Sequence, residues 1–193
     1  MQPDKLNVFD LDGTLIKVNS FKEIGKSLVF IFFRKVKIGA LSQLLTWYFV
    51  RKLRIISHLK FKQRAVDIFE ENLTEEEKQN LVQSIFCDNI NRNVFEQMLK
   101  AENCIICTAC PFAFASRMSF KPDAVVISSI DPNKNFPDPA NFGPGKVDNL
   151  KSFFQTGNIC VLNFYTDSTD DQELIDFSCN VFMVKNGDLI KLK

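Results

Sequence analysis

Residues 8–14 read Val-Phe-Asp-Leu-Asp-Gly-Thr, and this stretch decides the fold. It ends a short apolar run, Leu6–Phe9, with two aspartates and a glycine. An apolar run that stops at turn-forming residues is typical of a buried strand followed by a tight turn. Because ligands of an open α/β sheet bind beyond the carboxyl ends of its strands, the two carboxylates indicate a site at that edge.

The rest of the chain supplies the other layers of such a fold. Apolar residues at helical spacing predict helices between Ser20 and about Ile85, with a capping box at Thr74–Glu77, and a further helix over Asn93–Lys100. Beyond them, strands and helices are predicted in alternation. The strands are Cys104–Cys107, Ala124–Ile127, Ile159–Phe164 and Val181–Val184, and the helices between them are Pro111–Met118, Lys146–Phe154 and Asp170–Phe177. Residues 131–145, rich in Pro, form a structured loop or flap.

Continuous apolar strands that alternate with helices predict a parallel sheet covered on both faces. We therefore expect an α/β fold with a three-layer, Rossmann-like parallel sheet core. Residues 1–14 and 88–193 would form this core, and residues 15–87 an inserted all-helical cap.

Charge divides the chain in the same way. The net charge of the 193 residues is only +1, and the 46% of hydrophobic residues with 20 Phe excludes a disordered chain. Residues 24–66, however, hold ten Lys and Arg and no acidic residue, whereas the remainder has 14 basic and 23 acidic residues, a net charge of −9. Segments that differ this much usually face different partners.

Polar side chains recur where the predicted strands end. Asp10 and Asp12 follow the first strand, Thr108 and Ala109 the second, and residues 167–171 the fourth, while Lys146 lies at a helix start. Carboxylates that meet at one sheet edge repel each other unless a cation lies among them. Mg²⁺ is the natural occupant, because it prefers oxygen ligands and is usually shared with a phosphate.

Four motifs in this order resemble those of the haloacid dehalogenase superfamily of phosphohydrolases. They are D-x-D-G-T at Asp10–Thr14, the hydroxyl of Thr108 at a strand end, Lys146 at a helix start, and D-S-x-x-D at Asp167–Asp171. The helical insert directly after the first motif resembles the type 1 cap of the phosphoserine phosphatase-like branch. Residues 12–15 and 19–21 are also similar to phosphatidylglycerophosphatase-like members of that branch.

The resemblance implies a role for each motif residue. Asp10 would be the nucleophile that forms an aspartyl-phosphate, and Asp12 the general acid and base. The second carboxylate favours phosphate ester chemistry over dehalogenation. The remaining implied residues are the substrate-binding set, Thr108, Ala109 and Lys146, and the Mg²⁺-binding set, Asp10, Asp12, Asp167 and Asp171.

Several alternatives stay open at this point. Lys151 competes with Lys146, and Asp170 with Asp171, while Asp167 and Asp171 also suit a helix cap. Cys104, Cys107 and Cys110 have part of an iron–sulfur spacing, but neighbours on a strand point to opposite faces, which favours small buried apolar residues. His58, the only histidine, is interpreted as a surface or packing residue.

The basic insert has two competing interpretations. Apolar runs at Leu28–Phe33 and Leu44–Val50 lie between Lys and Arg residues, as in helices that lie on anionic lipid, which favours a lipid or other amphiphilic phosphate as substrate. Alternatively, the aromatic residues form the core of the cap, and the basic face attracts a small soluble phosphate such as phosphoserine. A nucleic-acid partner is not expected, because no recognised binding motif is present.

The location of the chain follows from its apolar runs. No stretch long enough for a secretory signal follows the first residues, which predicts a cytoplasmic protein. The longest uncharged run of the insert, Ile38–Val50, has 13 residues, too few to span a bilayer, so membrane contact would be peripheral, at the inner membrane surface. The main alternative of another class is a non-catalytic peripheral membrane or scaffold protein on the same fold.

Overall fold

The computed structural model describes residues 4–155 and 159–193. Within them, one six-stranded sheet has the strand order β3-β2-β1-β4-β5-β6. The strands are β1 (Asp4–Phe9), β2 (Cys104–Pro111), β3 (Val125–Ser129), β4 (Ile159–Thr166), β5 (Ser178–Lys185) and β6 (Asp188–Lys191). The first five are parallel, with Phe9 of β1 opposite Ile106 of β2 and Tyr165 of β4.

The strand order places the expected site. From β1 the chain continues to β2 and β3 on one side of the sheet, and then to β4 and β5 on the other. The carboxyl ends of β1 and β4 therefore flank the point at which the strand order reverses. This is where open α/β sheets leave a crevice for ligands.

The last strand corrects the expectation of a wholly parallel sheet. β6 pairs antiparallel with β5 through a tight hairpin at Asn186 and Gly187, whose φ angles are 53° and 89°. An Asn-Gly pair is a strong signal for a two-residue hairpin turn, because it tolerates positive φ at both positions. The sheet is thus parallel except for one edge strand.

The helices surround the sheet in chain order. α1 (Ser20–Arg34), α2 (Ile38–Lys52), α3 (His58–Asn72) and α4 (Glu75–Asp88) follow β1, and α5 (Arg92–Lys100), α6 (Phe112–Ala115), α7 (Gly145–Phe154) and α8 (Gln172–Phe177) follow later. The capping box is confirmed, since Thr74 Oγ1 accepts from Glu77 N and the Glu77 carboxylate from Thr74 N. The first four helices occupy the segment expected to be the cap.

Two predicted helices are shorter than expected. The helix expected over Pro111–Met118 is only α6, because β2 continues to Pro111. The helix expected over Asp170–Phe177 is a 3₁₀ turn at Thr169–Asp171 followed by α8. A turn at residues 116–117 ends α6, and Asp167 and Ser168 separate β4 from the 3₁₀ turn.

Alternating residues of β1 separate the two faces of the sheet. Val8 packs in one apolar cluster with Leu150 of α7 and Leu174 of α8. Phe9 packs in another with Met98 of α5 and with the helices of the insert. Helices thus cover both faces, and the expected three layers are confirmed.

The same alternation separates the three clustered cysteines. Cys107 belongs to the cluster with α7 and α8, whereas Cys104 and Cys110 belong to the opposite one. All three are buried, and burial raises the pKa of the Cys107 thiol to about 12. They pack as small apolar side chains, as interpreted from the sequence.

An ion-pair network fastens α3 and α4 to the core. Arg117, which follows α6, lies 3.0 Å from carboxylate oxygens of both Glu70 in α3 and Glu75 in α4. Lys78, almost fully buried, lies 2.6 Å from Glu70 and 2.7 Å from Glu75. These contacts hold α3 in place beside the carboxyl end of β2.

Candidate active site

The turn after β1 brings two of the expected site residues, Asp10 and Asp167, to the same edge of the sheet. Asp10 N donates to Tyr165 O of β4 at 2.9 Å, which fixes the end of β1 beside β4. Gly13 has a φ of +76°, and a Cβ on it would lie 2.0 Å from Asp167 Oδ2. Only glycine fits there, so the turn packs directly against the Asp167 carboxylate.

A buried lysine joins two carboxylates from distant parts of the chain. Lys146 Nζ lies 2.7 Å from Asp10 Oδ1 and 2.8 Å from Asp171 Oδ2. Lys146 occupies the first turn of α7, and Asp171 ends the 3₁₀ turn after β4. Thr166 Oγ1 donates to the same Asp171 oxygen at 3.2 Å. At most 8% of each of the three ionisable residues is exposed, so these charges interact with little screening.

Burial dominates the electrostatics of this cluster. It raises the pKa of Asp10 to about 7, and Asp171 adds to the rise although Lys146 opposes it. Burial alone would lower the pKa of Lys146, but the Asp10 and Asp171 carboxylates outweigh it and raise that pKa above its usual value. The cluster therefore holds a carboxylate that is costly to ionise beside a lysine that stays charged.

Asp12 faces the helical insert. Its Oδ1 accepts a hydrogen bond from Ser20 N, at the start of α1, at 2.8 Å. Burial raises the pKa of Asp12, and the Ser20 contact only partly offsets this effect. A carboxyl group with a raised pKa at this position suits proton donation.

The end of β2 departs from regular pairing with β3. The β2–β3 pairing shifts between Cys107 and Pro111, which frees Thr108 and Ala109 from regular pairing. Thr108 is buried, and its Oγ1 accepts from Cys110 N at 3.0 Å, which leaves the hydroxyl proton available to another acceptor. Ala109 O accepts from Ser129 Oγ at 2.7 Å.

Two residues that hydrogen-bond to the end of β2 were not predicted from the sequence. Asn141, in the expected 131–145 loop, is fully buried and donates through Nδ2 to Thr108 O at 2.8 Å and Ile127 O at 2.9 Å. Lys62 of α3 is also buried, and its Nζ donates to Ala109 O at 2.6 Å. Burial lowers the pKa of Lys62. Lys62 is one of ten basic residues in residues 24–66, and no local sequence feature distinguishes it from the others.

The structure also locates the competing residues. Lys151 is exposed, with its Nζ 5.1 Å from the centre of the Phe177 ring. Asp170 is exposed, whereas Asp171 faces Lys146. His58 lies at the surface, edge-on to Phe21 with 6.1 Å between ring centres. Lys146 and Asp171, rather than their competitors, therefore lie at the cluster.

The donor set fits Mg²⁺. Within residues 4–155 and 159–193, no three His, Cys, Asp or Glu side chains form a ready-made metal cluster. Mg²⁺, however, is commonly held by one or two carboxylates, with the other positions filled by water and substrate phosphate. Asp10 binds Lys146 through only one oxygen, and Asp167 lies against the Asp12–Gly13 turn. Asp10, Asp167 and the Asp12 carbonyl could thus hold the ion, with Asp171 positioned through Lys146.

The raised pKa of Asp10 has a measurable consequence for stability. Its value of about 7 lies above the ordinary 3.8, so folding takes up a proton between these values, and stability is lost as pH rises through about 7. Between pH 5 and 8, we expect the Tm of the EDTA-treated protein to fall on the order of 5 °C more than that of Asp10→Asn. Mg²⁺ should reduce the fall. Equal pH dependence in both proteins, measured by calorimetry, would contradict this assignment.

Solved structures share this architecture. A protein of unknown function from Bordetella pertussis Tohama I has a TM-score of 0.65 at 13% identity, over 93% of this chain and 89% of the other. A phosphoserine phosphohydrolase-like protein from Francisella tularensis subsp. tularensis SCHU S4 has a TM-score of 0.50 at 15% identity, over 92% and 86%. The sequence matches no protein-family model and no curated protein at a significant level. At such low identity the likeness establishes the fold, an α/β fold shared with a phosphoserine phosphohydrolase-like protein.

Proposed function

We propose that the protein is a Mg²⁺-dependent phosphomonoester hydrolase of the haloacid dehalogenase type, with amphiphilic phosphates as substrates. The observation that carries the proposal is the buried Lys146, which bridges Asp10 and Asp171 at the carboxyl end of β1. A lone buried lysine between two carboxylates gives a nucleophile fixed in direction and a positive charge for a phosphoryl group.

The chain's own residues account for both steps of hydrolysis. An Asp10 oxygen attacks phosphorus, the bond from phosphorus to the alcohol oxygen breaks, and Asp12 gives its proton to that oxygen. Water then attacks the aspartyl-phosphate, Asp12 takes a water proton, and the bond between phosphorus and Asp10 breaks to release inorganic phosphate. Mg²⁺, when bound, would offset the negative charge of Asp10 and the phosphoryl oxygens.

The phosphoryl group has donors on its other side. Lys146 is positioned to balance its charge, and the free hydroxyl proton of Thr108 can be donated to a phosphoryl oxygen. Asn141 fixes the backbone at Thr108 by donating to Thr108 O. Ala109 lines the same cleft as Asp12.

A cleft of about 790 Å³ lies between this edge and the insert. Its size is ordinary for a small-molecule site. Lys22, Arg51 and Lys62 line its insert side, and Arg51 Nε is buried without a hydrogen-bond partner among the described residues. A cleft lined by these cations and by the Asp12 carboxyl group suits an anionic substrate.

An apolar groove of about 410 Å³ adjoins the cleft and supports the amphiphilic class of substrate. Phe21 and Lys22 line both spaces. Beyond them, the groove is lined by Val29, Leu45 and Tyr48, together with further side chains of α1, α2 and α3. A substrate with its phosphate at Asp10 has room here for an apolar body, which a small soluble phosphate such as phosphoserine would leave empty.

A series of alkyl phosphates of increasing length, kept monomeric, tests this proposal. We expect kcat/KM to rise about threefold to fourfold for each methylene until the groove is filled. Gly25 lines the groove, and a Cβ there meets no atom within 4 Å. Gly25→Met should therefore lower kcat/KM at least about tenfold for long chains. It should leave short chains nearly unchanged.

Gly39→Met is the matched control. Gly39 also lies in a helix with no atom within 4 Å of a Cβ, but it does not line the groove. It should leave the whole series unchanged. A flat chain-length profile would favour the soluble-phosphate alternative. No turnover of any ester with Mg²⁺ would favour a non-catalytic scaffold instead.

A further inference from the structure

The α1–α2 hairpin and the turn after α2 expose large apolar side chains. In the described part of the chain, every large apolar side chain more than 60% exposed lies in this segment: Phe30, Phe33, Val36, Ile38, Leu53 and Ile55. We call this surface, together with the outer side of α2, the docking face. Such a concentration of exposed apolar side chains in one segment is typical of an interaction site in folded proteins.

Helix α2 is apolar on both sides. Ala40 and Leu44 are buried against the rest of the insert. On the outer side, Leu45, Tyr48 and Phe49 are exposed. Ser42 and Thr46 lie among these side chains, but a surface helix normally turns a more polar face outwards.

Val36 is an exposed apolar residue that does not stabilise the fold. It ends the turn after α1 with a φ of 54°, in the left-handed region. Glycine or asparagine is favoured at such a position, and a β-branched residue is strained. Val36 is also 72% exposed, so it gains no packing in return. What it adds is apolar surface at the tip of the hairpin.

Positive charge borders the docking face at both ends of α2. Arg34 lies at one end, and Lys52 and Arg54 at the other; none of the three forms a salt bridge within the described residues. Lys37 donates to Asn72 O at the end of α3 instead. Lys35 is paired with Glu77 and does not contribute. Residues 24–66 contain no acidic side chain, so the charge is of one sign.

We propose that the docking face binds the surface of an anionic lipid bilayer, with α2 lying in the plane of the membrane. Its exposed apolar side chains would enter the boundary between headgroups and acyl chains, and the Arg34, Lys52 and Arg54 side chains would contact lipid phosphates. α2 has 15 residues, about 22 Å, and no helix in the described ranges has the length and apolarity needed to cross a bilayer.

The position of the substrate groove favours a membrane over a protein partner. Leu45 and Tyr48 of the docking face also line the groove, together with the exposed Val29 of α1. An amphiphile in a bound bilayer would thus meet the groove directly. The passage of substrate from the bilayer to the groove rests on the proposed function, whereas binding of the protein to the bilayer does not.

Flotation of the full chain with vesicles tests the proposal. We expect binding to phosphatidylcholine vesicles that contain phosphatidylglycerol, much weaker binding to phosphatidylcholine alone, and a loss of binding as NaCl increases. Phe33→Ser and Phe49→Ser should each lower the partition coefficient about tenfold. Lys52→Ala and Arg54→Ala should each lower it about fivefold.

Matched substitutions outside the docking face serve as controls. Leu99→Ser and Lys185→Ala also change exposed residues, and they should leave vesicle binding unchanged. Val36→Gly should weaken binding without lowering the Tm, because it relieves the left-handed valine. This variant separates lost membrane contact from lost folding.

Three results would overturn the proposal. The first is no binding to anionic vesicles, and the second is binding of Phe33→Ser and Phe49→Ser equal to that of the wild type. The third is dimerisation in solution that the same substitutions abolish, which would make the face a contact between two copies. Turnover of a short soluble ester is measured in parallel. Binding without turnover would refute the hydrolase alone, and turnover without binding would refute the docking face alone.

Discussion

Asp10→Asn is expected to lower kcat for every phosphomonoester by at least about 10⁴-fold and to leave the fold intact. The amide has the size of the carboxylate but cannot provide the attacking oxygen anion. The substitution also removes a carboxylate that burial makes costly to ionise, so the Tm should not fall at neutral pH. Steady-state kinetics and calorimetry on the same preparation measure both effects.

Asp170→Asn is the matched control for Asp10→Asn. Asp170 precedes Asp171 in the chain but is exposed, while its neighbour contacts Lys146. Its kcat should remain within about twofold of the wild type, as for other surface substitutions. If Asp10→Asn kept substantial activity, the nucleophile would have to be another group.

Lys146→Met has the second large expected effect, on stability as well as rate. It leaves Asp10 and Asp171 buried without their shared partner, and breaking a buried ion pair from one side costs about 3–5 kcal/mol. The Tm should fall on the order of 10 °C at pH 8. The fall should be smaller at pH 5, where Asp10 can be protonated. We expect kcat to fall at least about 10³-fold, because the positive charge beside the phosphoryl group is lost.

Lys151→Met provides the comparison within the same helix. Lys151 is exposed and lies over the Phe177 ring, outside the cluster. Its removal should change the Tm by no more than about 2 °C. Equal effects of the two substitutions would show that the Lys146 pairing is not the source of the stability.

The sequence predicted those parts of the site that are encoded locally. Asp10 and Asp12 follow an apolar strand directly, and Lys146 follows a Gly-Pro-Gly turn, so their placement depends on short-range pattern and on the rule for strand ends. Lys62 and Asn141 could not be found in this way. Each reaches the site across a long stretch of chain, from α3 to Ala109 and from the 131–145 loop to Thr108, and such contacts have no local signature.

The apolar runs of the insert show the same limit. Residues 28–33 are apolar throughout, so they have no periodicity that tells the inner side of the helix from the outer. In the structure Phe32 is fully buried, whereas the adjacent Phe33 is 74% exposed. Only the packing of α1 against the rest of the chain decides which aromatic side chains form the core and which remain exposed.

Transfer of phosphate to the protein itself tests the central proposal most directly. The protein is mixed with a phosphorus-labelled ester and Mg²⁺, quenched in acid within one turnover, and digested for peptide mapping. We expect label on Asp10. With an aryl ester, whose leaving group needs no proton, the amount should be larger for Asp12→Asn, because this variant cannot activate the water that releases the phosphate. Full turnover with no label on the chain, or label on a residue other than Asp10, would contradict the proposal.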